Sequence, residues 1–525
     1  MTTRMKLTRR AFVTSASAAG IVAGSGLAMP FYSRANARPQ FTHGVQSGDV
    51  DSVSGMIWTR TDRPSRVAFE VSTTESFKNA MRLPTLDAVP ESDFTVKRLL
   101  AGLSSDQDIF YRMVAADLSD INSTSEPIIG RFKTAPSSKR NIRFVWSGDT
   151  VGQGWGIDEK GIYTYATMAK HTPDFFLHSG DTIYADGPLQ AEVDLKDGTK
   201  WVNKVLSEEK SKVAETMAEY RGQWKYNLMD EHVLAFNQHT PTFYQWDDHE
   251  VVNNWSASKD LTADDRYTEK SVPLLQSRAA RAFHEMTPIR FTPEEPGRVY
   301  RKIAYGPLLD VFFLDLRAYR GPNGDAVETE MTDQSRIAGE EQIKWLKREL
   351  ANSRATWKVI ASDMPLGIVV WNDGANKKGA EAIANGQAGL PSGRELEIAD
   401  LLRYIKNAGI ENTVWMTADV HYTAAHYYNP EKAAFQDFEP FWEFVSGPLH
   451  AGTFGPGDLD PTFGPELKFV KAPTEEQGQN LPPSAGLQFF GLVDIDGTSE
   501  QMTVRLMDRD DVELYKVTLD PVRSA

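Results

Sequence analysis

The 525-residue sequence predicts an α/β protein in two parts, a small β-sandwich followed by a larger domain built on a parallel sheet. Three observations lead there. From Phe41 to about Pro136, short alternating segments such as "RVAFEVST" and "DIFYRMVAA" are separated by polar turns and carry no helical period. Beyond about residue 140, strand-like runs alternate with helical ones, as in "IRFVWSGD", "EKGIYTYATMAKH" and "PDFFLHSGD". The apolar runs of this second part also share an ending, an aspartate. With 41% hydrophobic residues the chain has enough apolar surface for a large core.

Residues 1–37 read as an address. The basic pair Arg9-Arg10 in "LTRRAFVTS", a mildly apolar run from Ala16 to Met29 and the small-residue site Ala35-Asn36-Ala37 resemble a cleaved twin-arginine export signal, which implies the twin-arginine translocation machinery as a partner and a periplasmic or secreted location. Ser and Gly dilute that run too much for it to span ~30 Å of hydrocarbon, so no stable membrane anchor is expected. Residues 38–138 form the expected β-sandwich domain, with seven or so strands; Leu103 followed by Phe110-Tyr111 resembles the corner of a fibronectin-type domain. "APSSKR" at 135–140 reads as a linker. The α/β domain then occupies 141–525, with longer helical stretches expected at 205–235, 268–285 and 337–352. Cysteine is absent, which removes both disulfides and thiolate ligands. The net charge of −15, with five positive charges and no negative ones in the first 37 residues, argues against nucleic-acid binding.

The strand endings carry the functional signal. "IRFVWSGD" stops at Asp149, "PDFFLHSGD" at Asp181, "TFYQWDDHE" at Asp247 and Asp248, "VFFLDLR" at Asp315, "WKVIASDMP" at Asp363, and "NTVWMTADVH" at Asp419 with His421 two residues on. In an open α/β sheet ligands bind beyond the carboxyl ends of the strands, so these acids gather in one region. Crowded, partly desolvated carboxylates raise one another's pKa and oppose folding unless a cation neutralises them. Any single aspartate after a strand is as well explained as a turn former or helix cap, and that structural reading is kept for Asp315 and Asp363.

The set "SGDT", "HSGDTIYADG", "YRGQWKYN", "YQWDDHEVVNNW", "LDLRAYRG" and "ADVHYTAAHY" resembles, in order along the chain, the PhoD-like alkaline phosphatases and phosphodiesterases of the calcineurin-like metallophosphoesterase superfamily. The resemblance implies a four-layer αββα sandwich preceded by the fibronectin-like β-domain, and a phosphate-ester substrate. It implies Asp181 as an aspartate bridging two ions, Tyr184 as a further ligand, Asp248 as a ligand of the second ion with His249 facing the phosphate, and Asp419 and His421 completing the sites. Where well-known members place a cysteine this sequence has Asp149, which matches the aspartate of the broader superfamily. Carboxylates, one phenolate and one imidazole suit hard ions such as Fe(III), Ca, Mn or Mg; the resemblance implies two or more metals and the family's pairing of Fe(III) with Ca.

Two metals lower the pKa of a bound water and compensate the charge of a phosphoryl group, so hydrolysis of phosphomonoesters or phosphodiesters follows, with His249 assisting the leaving group. Arg317 is expected either to pair with the substrate phosphate or to form an ion pair with Asp315 or another acid. Asn253, Asn254 and Trp255 read as pocket rim or helix cap, His178 as a satisfied core histidine, and His426 and His450 as lesser candidates near strand ends. The alternative to the enzyme is an exported metal-containing protein that binds phosphate esters or cell-envelope polymers without turnover.

Overall fold

The computed structural model describes residues 38–523; the export signal read at 1–37 lies outside the described residues. Seven strands between Phe41 and Lys133 form two antiparallel sheets, one of Phe41–Gly48, Ser54–Thr61 and Thr95–Ala101, the other of Met81–Ala88, Ser65–Ser72, Asp108–Asp117 and Ile128–Lys133. Alternation drives their packing: Val67, Phe69 and Val71 point inward from one strand, against Ile109, Tyr111 and Met113 of its neighbour.

Two larger sheets follow. The first has the order Thr242–Tyr244, Phe175–His178, Ile142–Ser147, Phe489–Ile495, Met502–Asp508 and Glu513–Leu519, its first three strands parallel. In the second, Leu309–Phe313, Trp357–Ala361, Thr413–Thr417 and Phe441–Val445 run parallel, flanked by antiparallel strands. Residues alternate between two environments, which makes the layers. Phe144, Trp146, Phe175 and Leu177 share one core with Val311, Phe313, Val359 and Met416 of the facing sheet. Their neighbours Val145 and Phe176 turn the other way, onto helices Tyr163–Lys170, Met217–Asn227, Glu231–His239 and Val272–Met286. Phe312, Ile360 and Trp415 likewise meet helices Glu340–Asn352 and Glu395–Asn407. The result is an αββα sandwich.

The helical stretch expected at 205–235 is two helices that begin only at Met217. Thr216 and Glu219 form a reciprocal capping box that sets that start, and Lys210 upstream turns inward to bond the Tyr184 carbonyl at 3.0 Å. The β-domain is locked to the sandwich by buried polar contacts. Asp49 accepts from both the Arg301 guanidinium, at 2.6 Å, and the Arg290 amide, at 2.7 Å, while Arg301 also donates to the Tyr244 carbonyl at 2.9 Å. No helix among the described residues is long and apolar enough to cross a membrane.

Candidate active site

Three parallel strands of each sheet deliver an acid to the same edge of the sandwich. Donor atoms of Asp149, Asp181 and His421 lie within 4.8 Å of one another, as do those of Asp181, Asp248 and His249, and those of Asp247, Asp248 and Asp419. The Tyr184 hydroxyl is 2.9 Å from His421 Nε2. The backbone turns sharply to present these groups: Asp149, Asp181, Asp419 and His421 all have left-handed φ, between 51° and 67°. That region is sparsely used by residues other than Gly, Asn and Asp, and a histidine there is strained. Gly180, at φ 98°, admits the neighbouring strand end, since a Cβ there would lie 2.6 Å from Asp247 Cβ.

Within Asp247-Asp248-His249-Glu250 each side chain has a separate partner. Asp247 accepts from Arg317 Nε at 2.5 Å. Glu250 accepts the backbone amides of Asp181 (3.1 Å), Thr182 (2.7 Å) and Asp247 (2.7 Å), tying two acid-bearing loops together. His249 Nδ1 lies 2.7 Å from Asp186, whose other oxygen accepts the Asn253 amide at 2.8 Å. Asp248 accepts the Asn254 amide at 2.5 Å through one oxygen and turns the other toward His249 Nε2, 3.9 Å away. Asp186, Glu250 and Glu381 are absent from the sequence reading of site residues, and Asp247 entered it only as a strand-end acid without a role. Asp186 was visible as a second acid in "HSGDTIYADG", five residues after Asp181.

The electrostatics favour a cation. Burial first, then neighbouring carboxylates such as Asp247 and Asp248, push Asp149, Asp181 and Asp419 well above the carboxylate range. Burial opposes the Asp248 charge too, but the nearby His249 and Arg317 outweigh it and hold that group down at about 2. Burial disfavours a charged His249, yet Asp186 and Asp248 raise it to about 9. Both carboxylate oxygens of Asp149 are buried without a hydrogen-bond partner, as is one oxygen of Asp247. His421 Nδ1 faces the Gly452 carbonyl at 2.5 Å, so its ring donates there and leaves the Nε2 lone pair toward Asp149, 3.6 Å away. Carboxylate oxygens lacking donors, beside an imidazole lone pair and a phenol, fit a hard metal ion.

Arg317 does not stand free for a substrate. Its side chain has 0% exposure and is engaged by Asp247 and Glu381, with Asp363, Asp248 and Asp419 within 3.7 to 4.0 Å. Of the acids expected to pair with it, Arg317 takes ones other than Asp315, which instead accepts the backbone amides of Arg317 (3.0 Å) and Ala318 (2.8 Å). His178 is a satisfied core residue between Thr150 (2.7 Å) and Thr182 (3.3 Å). His426 pairs with Glu443, and His450 turns its ring to the Gly156 carbonyl while its amide bonds the Asp149 carbonyl at 3.1 Å. Trp255 is buried against Trp246, whereas Asn253 is exposed.

Residues 144–506 match the PhoD-like phosphatase family, and residues 26–136 match the PhoD-like phosphatase N-terminal domain. The chain is 29% identical over 448 residues to alkaline phosphatase D of Bacillus subtilis (strain 168), covering 79% of this chain and 71% of that protein. The solved structure of PhoD aligns with a TM-score of 0.67 at 22% identity, over 92% of this chain and 90% of the other. Purple acid phosphatase PPD1 from yellow lupin (Lupinus luteus) seeds aligns with a TM-score of 0.55 at 13% identity, over 92% and 74%. At these identities the two structures show a common fold. With the family match running through both sheets and every acid-bearing strand end, the chain belongs to the PhoD-like phosphatase family and is a phosphoric ester hydrolase.

Proposed function

We propose that this hydrolase is an exported, metal-dependent enzyme acting on phosphomonoesters, phosphodiesters or both. The observation that carries the reading is the meeting of Asp149, Asp181, Asp248 and His421, from four strands in two sheets, around buried carboxylate oxygens that no protein donor satisfies. In this reading Asp149, Asp181, Tyr184 and His421 hold one ion, and Asp181, Asp248 and Asp419 hold a second. Fe(III) with Ca is the pairing we favour for a donor set without thiolate, with Mn or Mg as the alternatives. Bound ions supply Lewis-acid activation of water at moderate pH and counter-charge for the phosphoryl oxygens.

The chain's own groups do the rest. Asp186 fixes the His249 ring through Nδ1 and favours its protonated form, so that Nε2 donates to the leaving-group oxygen. Arg317 acts from beneath the site as a counter-ion to Asp247 instead of a substrate ligand. Glu250 keeps Asp181 and Asp247 in register through their amides. Export follows from the twin-arginine signal read at residues 1–37, ahead of a β-domain at 38–138 and the catalytic domain at 141–525.

The purified protein should hydrolyse p-nitrophenyl phosphate or its bis ester, lose that activity on chelation and regain it with metal. Tight binding of the esters without turnover overturns the reading. Elemental analysis and the visible spectrum decide the metals, because a Tyr184 phenolate on ferric iron absorbs in the visible; a colourless, iron-free, active preparation rejects iron and leaves the rest standing. Replacing Arg9 and Arg10 by lysine should retain the protein in the cytoplasm.

A further inference from the structure

We propose that Lys259 recognises a second anionic group on the substrate, so that the preferred esters are those whose leaving group carries a negative charge of its own. The inference rests on the phosphoesterase reading above and adds to it the chemical character of the leaving group.

The argument starts from the segment Asn253-Asn254. The Asn253 amide donates to Asp186, which orients His249, at 2.8 Å, and the Asn254 amide donates to Asp248 at 2.5 Å. The carbonyl joining these residues accepts from Lys259 Nζ at 2.5 Å. In a trans peptide the N–H and C=O point to opposite sides. The ammonium therefore stands across one peptide unit from the Asp248 carboxylate, about 7 Å away when the two hydrogen bonds are extended by standard peptide dimensions. At that distance it makes no ion pair with the acid and only adds to the larger effects of His249 and Arg317 on it. It stands half-buried beside the exposed Asn253, on the segment that borders Asp186 and Asp248.

The other cations around the site are already committed. Arg317 is fully enclosed, with Nε and Nη1 held by Asp247 and Glu381 and Nη2, which has no hydrogen bond, 3.8 Å from Asp419 and 4.0 Å from Asp248. Lys210 is buried and donates to the Tyr184 carbonyl and to Gln223. Arg266 pairs with Asp264 at 2.7 Å. Lys259 has no carboxylate within ion-pair distance among the described residues and rests on a neutral carbonyl, a bond readily exchanged for a charge-assisted one. It is half-buried, on a chain whose net charge of −15 otherwise repels anions.

The loop that carries it is fixed. The Asn323 amide is 3.0 Å from both Ser256 Oγ and Ser258 Oγ, the Asn323 side chain donates to the Asn254 carbonyl at 3.0 Å and to Glu381, and the Lys259 amide bonds the Ser256 carbonyl at 3.1 Å. A cation on a stitched loop loses little backbone entropy when a ligand arrives, which suits selection.

The test compares phenyl phosphate with 4-carboxyphenyl phosphate, esters that differ by one remote anion, using the metal-loaded full-length enzyme. The wild type should prefer the carboxylated ester. In Lys259→Met the ratio of the two kcat/KM values should fall about tenfold, the worth of one charge-assisted hydrogen bond, with the change in KM. Lys259→Arg should keep most of the preference. A ratio unchanged within about twofold in Lys259→Met, or one lost equally in Lys259→Arg, overturns the proposal. A wild type that hydrolyses neither ester defeats instead the phosphoesterase reading beneath it.

Discussion

Replacing Glu250 by glutamine tests how the acidic strand ends are held in place. One oxygen of Glu250 accepts the amides of Asp181 and Asp247, the other that of Thr182 and, more distantly at 3.4 Å, that of Ile183. A glutamine offers only one acceptor atom, so its NH2 group must face one of these sets of N–H donors. Each buried amide left without an acceptor costs about 1–3 kcal/mol, and the loss comes to ~3 kcal/mol after some relaxation. With an unfolding entropy of ~2.1 cal/mol/K per residue over roughly 500 residues, that lowers the thermal midpoint by ~3 °C. Burial, and Asp247 beside it, pushes Glu250 up to about 7, so calorimetry belongs at about pH 8.5, where the wild-type group is ionised. The same variant should bind metal more weakly, because Asp181 and Asp248 lie on the loops that Glu250 ties. A midpoint and a metal affinity both equal to wild type would show that the loops are held by something else.

Asp186→Asn should lower kcat on the order of 100-fold while leaving metal content unchanged, and should shift the alkaline limb of the pH–rate profile downward, since removing the Asp186 charge lowers His249 from about 9; unchanged kcat and profile contradict the role given to this pair. Asp49→Asn removes the charge that the Arg301 guanidinium faces at 2.6 Å in a buried setting, for an expected cost of about 3–5 kcal/mol, seen as a lower urea midpoint and earlier proteolysis between β-domain and sandwich. Glu219 accepts from Lys212 and from the amides of Glu215 and Thr216, and although partial burial opposes its charge these contacts hold it down at about 2. A depressed carboxylate stabilises the fold above its unfolded value of 4.5 and loses that contribution as pH falls toward 2, so Glu219→Gln should lower the unfolding midpoint at neutral pH, flatten its acid limb and converge with the wild type near pH 2.

The parts of this architecture that lie within one strand were readable from the sequence; those that depend on two distant segments were not. The apolar alternation in "IRFVWSGD" and "PDFFLHSGD" reports both faces of a strand and its acidic end, and all six acid-ended strands lie parallel in the two sheets. Helix Glu395–Asn407 carries Ile398, Leu401, Leu402 and Ile405 at helical spacing, a signal present in the sequence but passed over beside the longer stretches. The division of labour within residues 247–250 was not local. It is decided by Arg317 for Asp247, by Asp186 for His249, and by the amides of 181–183 for Glu250, all more than sixty residues away in the chain. Arg317 illustrates the point: a guanidinium beside an acid reads equally well as a substrate ligand or a counter-ion, and only its complete enclosure distinguishes them.

At Asp149 a carboxylate without a partner coincides with a left-handed backbone, and that bears on why the cluster persists. Asp247 has Arg317 and Glu250 has three close amides, so their charges are compensated by the chain. Asp149 has no donor on either oxygen, and it shares left-handed φ with Asp181, Asp419 and His421. Such backbone costs on the order of 1–3 kcal/mol at each position, and selection retains it where the surroundings require that orientation. An aspartate serving only as a turn former can take that backbone, as Asp93 and Asp511 do, but it has no need to bury both carboxylate oxygens without a donor among other carboxylates. The compensation must therefore come from outside the polypeptide. An ion at a hundred times its dissociation constant adds about 2.7 kcal/mol to stability, so chelation should lower the unfolding midpoint as well as stop turnover. A chelated protein as stable as the loaded one would mean that these four residues are oriented for some other reason.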